Sequence, residues 1–305
     1  MIVLKRLLVL YAIILLLIIL IPGLLIILLN LNDAATEIII YNYQSKEEMN
    51  LSLDNYLRGV VAAEMPASFP LEALKAQAVA ARTYALRKKV QGQRITTASK
   101  FDQAWLSQKA LLNKWQQNNF FINWSKISRA VEETKGLVLT YQGRLITAAY
   151  HSTSGGETAT AKEVWGNKVP YLKSVSSLYE GESPYYAKED FFSWQELAHK
   201  LKTKEERELT ILKRSNSGRV LKIMINNKIF SGREIRGKLN LNSTKFSCLQ
   251  SKKGVKFIVD GFGHGVGMSQ YGAQGLAQQG YSFREILAHY YPQAEIVVGK
   301  NDFDV

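Results

Sequence analysis

From Leu7 to Leu29 the chain runs 23 residues without a charged side chain, long enough for a helix to cross the hydrocarbon core of a bilayer. Pro22 and Gly23 do not forbid such a helix, because helix breakers are tolerated in membranes. A cleaved signal peptide competes, but its apolar region is shorter and ends in a small-x-small cleavage site. Neither condition is well met. Lys5 and Arg6 precede the block and the next basic residue is Lys46, so the positive-inside rule puts the amino terminus in the cytoplasm. Everything after residue 30 is then expected outside.

That exterior part is large enough for one big domain or two modest ones, and 47% hydrophobic residues supply a core. Cys248 is the only cysteine, which excludes an intrachain disulfide and a cysteine-based metal site. The formal net charge of +13 suits an anionic partner, with wall polymer and lipid headgroups ahead of nucleic acid; the positive charges are scattered, so a merely solvated surface fits equally well.

The expected fold class is α+β. Glu37 to Tyr43 is rich in strand formers. From Ser68 the pattern turns helical: Pro70 fits a first turn, and Leu71, Leu74, Ala78, Ala81 and Ala85 share one stripe that reads as core. Gln77 and Arg82 fall on its opposite margins, where polar residues line a cleft or, more commonly, meet water. Residues 91 to 125 read as loops with one helix around Trp105 to Trp115. A helix end at Gly136 and a hairpin around "YQGR" follow.

Residues 183 to 254 differ in character and read as an inserted smaller α+β subdomain. Ser193 to Glu196 is a capping box, and Arg219 to Asn226 alternates as a strand. Another capping box, Ser282 to Glu285, opens a last helix that stops at Pro292. The expected units are an anchor over 1–30, a catalytic domain over 37–182 that closes over 255–300, and the insert over 183–254.

Three places carry candidate chemistry. Glu64 in "VVAAEMP" sits among small and apolar residues that would raise a carboxyl pKa, as a general acid requires, although a surface turn is the commoner fate of such a glutamate. "HSTSGG", residues 151–156, places His151 beside Ser152, but neighbours in a strand face opposite ways, which favours a hydrogen-bonding loop over a catalytic dyad. A metal held by His151 and His264 lacks a third ligand, so no metal or cofactor is expected. "FGHGVGMSQYGAQG", residues 262–275, clusters five glycines around His264. They would let backbone approach a bulky ligand, or simply pack a tight turn between strand and helix.

The stretches "LDNYLRGVVAAEMPASFPLEALKAQAVAARTYAL", "YHSTSGGETATAKEVWG", "VPYLKSV", "SGREIRGKLNLNS" and "GFGHGVGMSQYGAQG" together resemble the stage II sporulation protein D family, from about Leu53 to Pro292. The resemblance implies a membrane-anchored lytic transglycosylase that cleaves between N-acetylmuramic acid and N-acetylglucosamine on glycan strands stripped of stem peptides. Glu64 corresponds to the family's catalytic glutamate. By the same match Gln77, Arg82, Tyr171 and Lys173 are expected in the substrate cleft, with His151, Ser152, His264 and Gln270 at the glycan.

Arg82 and Lys173 are expected to hold the lactyl carboxylate that denuded muramic acid exposes, and the glycines to let the chain pass close to the sugar polymer. The resemblance also implies a single-pass place in the cell membrane at the sporulation septum. Its companions there are a membrane-bound amidase, stage II sporulation protein P, and stage II sporulation protein M, during engulfment. A related possibility is a non-catalytic, glycan-binding enhancer of a wall amidase.

Overall fold

The computed structural model describes residues 36–299 and, in the apolar N-terminal block, the helical positions 11, 14–18, 20 and 21. The anchor expected over Leu7–Leu29 otherwise lies outside the described residues. Among those described, no helix is long and apolar enough to cross a membrane.

Strand Glu37–Asn42 pairs antiparallel with Glu47–Ser52 and parallel with Ile95–Thr96. Ile38 and Ile40 face inward while Glu37 and Ile39 face water, the two-residue alternation of a half-buried strand. Helix α1 (Leu53–Glu64) starts where the Ser52 hydroxyl accepts from the Asn55 amide. It ends because Pro66 forbids a helical Met65, whose φ and ψ are −123° and 144°. Glu64 is thereby fixed as the last helical residue.

Helix α2 (Leu71–Val90) is the centre of the main core. The alanine stripe is buried as expected, but so are Ala73, Ala76, Val79, Ala80 and Thr83 on its other faces. Small side chains let α1, the next helix and the last two helices of the chain pack closely around it. The expectation of water at Gln77 and Arg82 is therefore corrected, with exposures of 0% and 1%. In the region expected as loops with one helix around Trp105 to Trp115, residues 91–107 hold no helix, and the helix starts later and runs further: α3 (Gln108–Glu132), capped by Ser107, breaks direction at Gln116 (φ 58°).

Strand Leu137–Tyr141 then turns back as Arg144–Leu145 through Gln142 and Gly143, both at positive φ, and Glu295–Val298 covers its other edge. The short α4 (Ala161–Trp165) opens with a capping box at Thr160.

A second core, built on Trp194, Leu197, Ile223, Ile235 and Phe257, lies apart from the first. It holds the antiparallel sheet of Lys188–Ser193, Gly254–Val259 and Phe246–Gln250, a three-stranded meander over 209–231, α5 (Trp194–Leu201) and α6 (Gly232–Leu239). Strand Gly254–Val259 pairs entirely within this unit, so the boundary expected at 254 falls inside a hairpin and moves to about Val259. The chain then returns to the main core through α7 (Gln270–Gln278) and α8 (Phe283–Tyr290).

Candidate active site

Between the two units lies a cleft of about 1090 Å³, with Glu64, Gln103, Tyr150, His264 and Gln270 on the main-core side and Arg219, Arg233 and Arg236 on the other. Glu64 enters it from the end of α1. Its Oε1 accepts from the Ala104 amide at 2.6 Å, and its Oε2 from the Gln270 side-chain amide at 3.3 Å. Burial pushes the carboxyl pKa up, and the hydrogen bonds from Ala104 and Gln270 only partly oppose it. A helix C-terminus also disfavours a carboxylate.

Behind Glu64 stands an ordered polar chain. The Tyr150 hydroxyl donates to Gln103 Oε1 at 2.8 Å, and Gln103 Nε2 donates to the Tyr56 hydroxyl at 3.1 Å. Two other carboxylates border the cleft, and both are engaged. Asp102 is ion-paired with Lys88 and accepts from the Tyr84 hydroxyl and the Thr96 amide. Burial alone would raise its pKa, but these partners hold it below the usual range. Glu163 accepts from the Thr160 amide and the Ser217 hydroxyl.

His151 lies in the short strand Tyr150–His151, paired in parallel with Met268–Ser269. Its ring stands 5.7 Å from that of His264, which also meets Trp165 at 5.6 Å. His151 Nε2 contacts Ser154 Oγ at 3.0 Å and its Nδ1 the Val266 carbonyl at 3.1 Å. His264 Nδ1 accepts from the Val266 amide at 3.0 Å. Burial, followed by the charges of Arg236 and Arg219, lowers the His264 pKa to about 4, and burial drives that of His151 well below its ordinary value. Both rings are neutral at pH 7. Among the described residues no group of three or more His, Cys, Asp or Glu is placed to hold a metal ion.

The loop after His151 is organised by Glu180, a fully buried carboxylate that no sequence pattern had singled out. It accepts from the amides of Ser154, Gly155 and Gly156, from the hydroxyls of Ser177 and Tyr186, and from the Ser269 hydroxyl that caps α7. Burial acts to raise its pKa, but these donors together hold it below the usual range.

The glycines of 262–275 serve this packing. A Cβ on Gly267 (φ 73°) would drive into the Ala149 carbonyl, and one on Gly265 (φ 82°) into the Arg219 guanidinium. The close approach is to the chain's own backbone and side chains, so the tight-turn reading accounts for these two residues and the ligand-approach reading does not.

Glu64, His151, Ser152, His264 and Gln270 thus line one cleft, while Gln77, Arg82, Tyr171 and Lys173 do not. Arg82 donates to the carbonyls of Val131, Thr134 and Leu137 at 3.2, 2.7 and 3.3 Å, closing the exposed end of α3. Gln77 is buried with neither end of its amide hydrogen-bonded. The Tyr171 hydroxyl accepts from the Thr147 amide at 3.0 Å, and Lys173 is exposed elsewhere. Sequence reasoning missed Tyr150, Gln103, Glu180, Arg219 and Arg236; Tyr150, Gln103 and Arg219 act through partners far away in the chain, Glu180 gathers both near and distant donors, and Arg236 meets the cleft only through the docking of its helix.

Comparison with known proteins shows what the whole chain is similar to. Residues 41–141 match the family model described as stage II sporulation protein, and residues 186–267 match a domain of unknown function. The chain is 38% identical over 277 residues to the stage II sporulation protein D of Bacillus amyloliquefaciens, covering 87% of this chain and 80% of that protein. To that of Bacillus subtilis (strain 168) it is 37% identical over 275 residues, with the same coverage. It is also 31% identical over 293 residues to the amidase enhancer of Bacillus subtilis, covering 77% of this chain and 39% of that protein.

Proposed function

The chain belongs to the stage II sporulation protein D family, and on that premise we propose that it is a cell-wall lytic transglycosylase of sporulation with Glu64 as its acid and base. One observation carries this reading: of the carboxylates bordering the cleft, only Glu64 is not tied down by an ion pair or a cap, and burial favours its protonated form. Hydrolysis of a glycoside ordinarily calls on two carboxylates. A lytic step needs one.

Protonated Glu64 donates to the bridging oxygen as the bond from C1 of the muramic acid to that oxygen breaks. The C6 hydroxyl of the same sugar then bonds to C1, closing a 1,6-anhydro ring, and its proton returns to the Glu64 carboxylate. No water is consumed and Glu64 ends as it began. Gln270 and the Ala104 amide hold the carboxyl in place through this exchange, which is the positioning such a step requires. The reading brings with it the denuded strand as substrate, a place outside the membrane at the septum, and the two membrane-protein companions.

A second reading, a glycan-binding enhancer of a wall amidase, is favoured by the similarity to the amidase enhancer. Mass spectrometry of peptide-free glycan strands incubated with the whole chain separates the two. Anhydro-ended fragments that vanish with Glu64→Gln support the enzyme; retained binding without fragments from the unmutated protein supports the enhancer.

A further inference from the structure

One wall of the cleft carries three arginines, and two of them, Arg233 and Arg236, have no ion-pair partner among the described residues. Arg233 and Arg236 are three residues apart on α6, so they share one helix face, and both line the cleft. The helix that carries them is rigidly seated: Ser231 and Glu234 form a reciprocal capping box, and a Cβ on Gly232 would collide with the Val220 carbonyl.

Neither arginine is used up by the fold. Arg233 makes one hydrogen bond, to the Val164 carbonyl at 3.0 Å, and Arg236 one long contact, from Nε to the Leu241 carbonyl at 3.4 Å. Among the described residues no carboxylate forms an ion pair with Arg219, Arg233 or Arg236. Arg219, 2% exposed, also lines the cleft and keeps a buried Nε without a partner, while its Nη groups bind the carbonyls of Ser154 and Glu157. Three guanidinium groups thus border the cleft opposite Glu64, with Glu163 the carboxylate on their side. Arg233 is exposed and Arg236 half-buried, so both guanidinium groups are open to a ligand in the cleft, while buried Arg219 is balanced in part by the charges of Glu163, Glu180 and Glu157.

We propose that Arg233 and Arg236, backed by Arg219, read an ionised carboxylate on the sugar held in the cleft and so set a preference for acid-bearing over neutral glycan. This rests on the reading of the cleft as a glycan site. It moves the carboxylate contact from Arg82 and Lys173, which lie off the cleft, to the wall of the second unit. A planar guanidinium matches a carboxylate with two parallel hydrogen bonds, which gives arginine more selectivity here than a bare charge would.

The test uses the whole chain carrying Glu64→Gln, so that binding is read without turnover, and two probes of equal length: peptide-free wall strands, and the same strands with each lactyl carboxylate reduced to an alcohol. The acid-bearing strand is expected to bind about tenfold more tightly. Adding Arg236→Gln or Arg233→Gln should remove most of that preference while binding of the reduced strand stays constant, and Arg236→Lys should restore part of it. An unchanged preference in both glutamine variants, or equal loss for both probes, overturns the proposal. Failure of the enzymatic reading has a different signature, since the unmutated chain would then leave strands uncut while the charge preference and its loss persist.

Discussion

The side-chain amide of Gln270, at the start of α7, donates to Glu64 at the end of α1, across 206 positions of sequence. Each residue stands at a helix terminus fixed by its neighbours: Pro66, two residues on, stops α1 at Glu64, and the Ser269 hydroxyl caps α7 one residue before Gln270. The acid and its positioning group are thus held by backbone signals on either side of the cleft.

The first consequence concerns pH. If Glu64 acts as an acid, cleavage falls as pH rises through its raised pKa. Gln270 is one of the donors that lower that value, so Gln270→Ala is expected to move the alkaline limb of kcat/KM to higher pH and to slow cleavage on the order of tenfold. Glu64→Gln should lose about 10²-fold to 10⁴-fold. The stability effect has its own sign. A carboxyl raised on folding stabilises fully below its unfolded value, about 4.3, and this is lost as pH rises through the folded value. Glu64→Gln should therefore gain Tm over the unmutated chain between pH 4 and pH 8.

The histidines predict a missing feature. With His264 lowered to about 4 and His151 driven well below its ordinary value by burial, no limb from either histidine is expected in the activity profile between pH 5 and 8. Proton NMR of the His264 ring should show titration centred near 4. Since Arg236 charge contributes to the lowering, Arg236→Gln should move that midpoint upward. Because these pKa values are depressed, the neutral rings stabilise the fold above about 6.5, and that contribution is lost as pH falls.

Local signals made much of this chain legible. Capping boxes at Ser193 and Ser282 and the "YQGR" turn act within a few residues, and they appear where the sequence puts them. Glu64, His151, His264 and Gln270 stood out in the sequence as candidates, with the resemblance adding the role of Glu64, and the fold brings them to one cleft. What stayed hidden depends on long-range packing. Helix α2 is enclosed on almost every side, so a stripe computed from one face could not say that Arg82 is buried. Glu180 lies in "SLYEGESPYY", where no spacing betrays that its donors come from residues 154–156, 177, 186 and 269. The wall of arginines is likewise invisible until α6 is docked against the cleft.

Glu180 should be the costliest carboxylate to remove. Glu180→Ala takes the acceptor from three backbone amides and the Tyr186 hydroxyl, while the Ser177 and Ser269 hydroxyls keep Tyr290 and the Ser152 carbonyl as partners, so a loss of about 3 kcal/mol or more is expected in chemical denaturation. Its pKa is depressed on folding, so its contribution is present above the unfolded carboxyl value and lost as pH falls through the folded one. The gap in stability between the two proteins should accordingly close in acid. A gap that is constant from pH 7 to pH 3 would show that Glu180 does not hold the loop through its charge.

Two glycines separate packing from backbone conformation. Gly267 and Gly166 both have positive φ, but a Cβ on Gly166 meets open space and one on Gly267 meets the Ala149 carbonyl. Gly166→Ala is expected to cost about 1 kcal/mol, the left-handed penalty alone. Gly267→Ala should cost several times as much, or leave too little folded protein to measure. Similar losses at both sites in thermal unfolding would mean that the turn can shift away from the strand carrying His151.

Arg82 provides the contrast to the arginines of the cleft. Its guanidinium serves the carbonyls of Val131, Thr134 and Leu137 and lies 3.8 Å from Asp54, with no atom on the cleft. Arg82→Ala removes one donor from each of these carbonyls, although Thr134 O still accepts from the Leu137 amide and Val131 O from the Thr134 hydroxyl, so the loss is expected at about 2 kcal/mol of stability. The ratio of affinities for acid-bearing and reduced strands should not change, because the charge it removes is enclosed by α1 and α3. A variant that keeps its stability but loses the ratio would return the carboxylate contact to Arg82 and take it from the wall of the second unit.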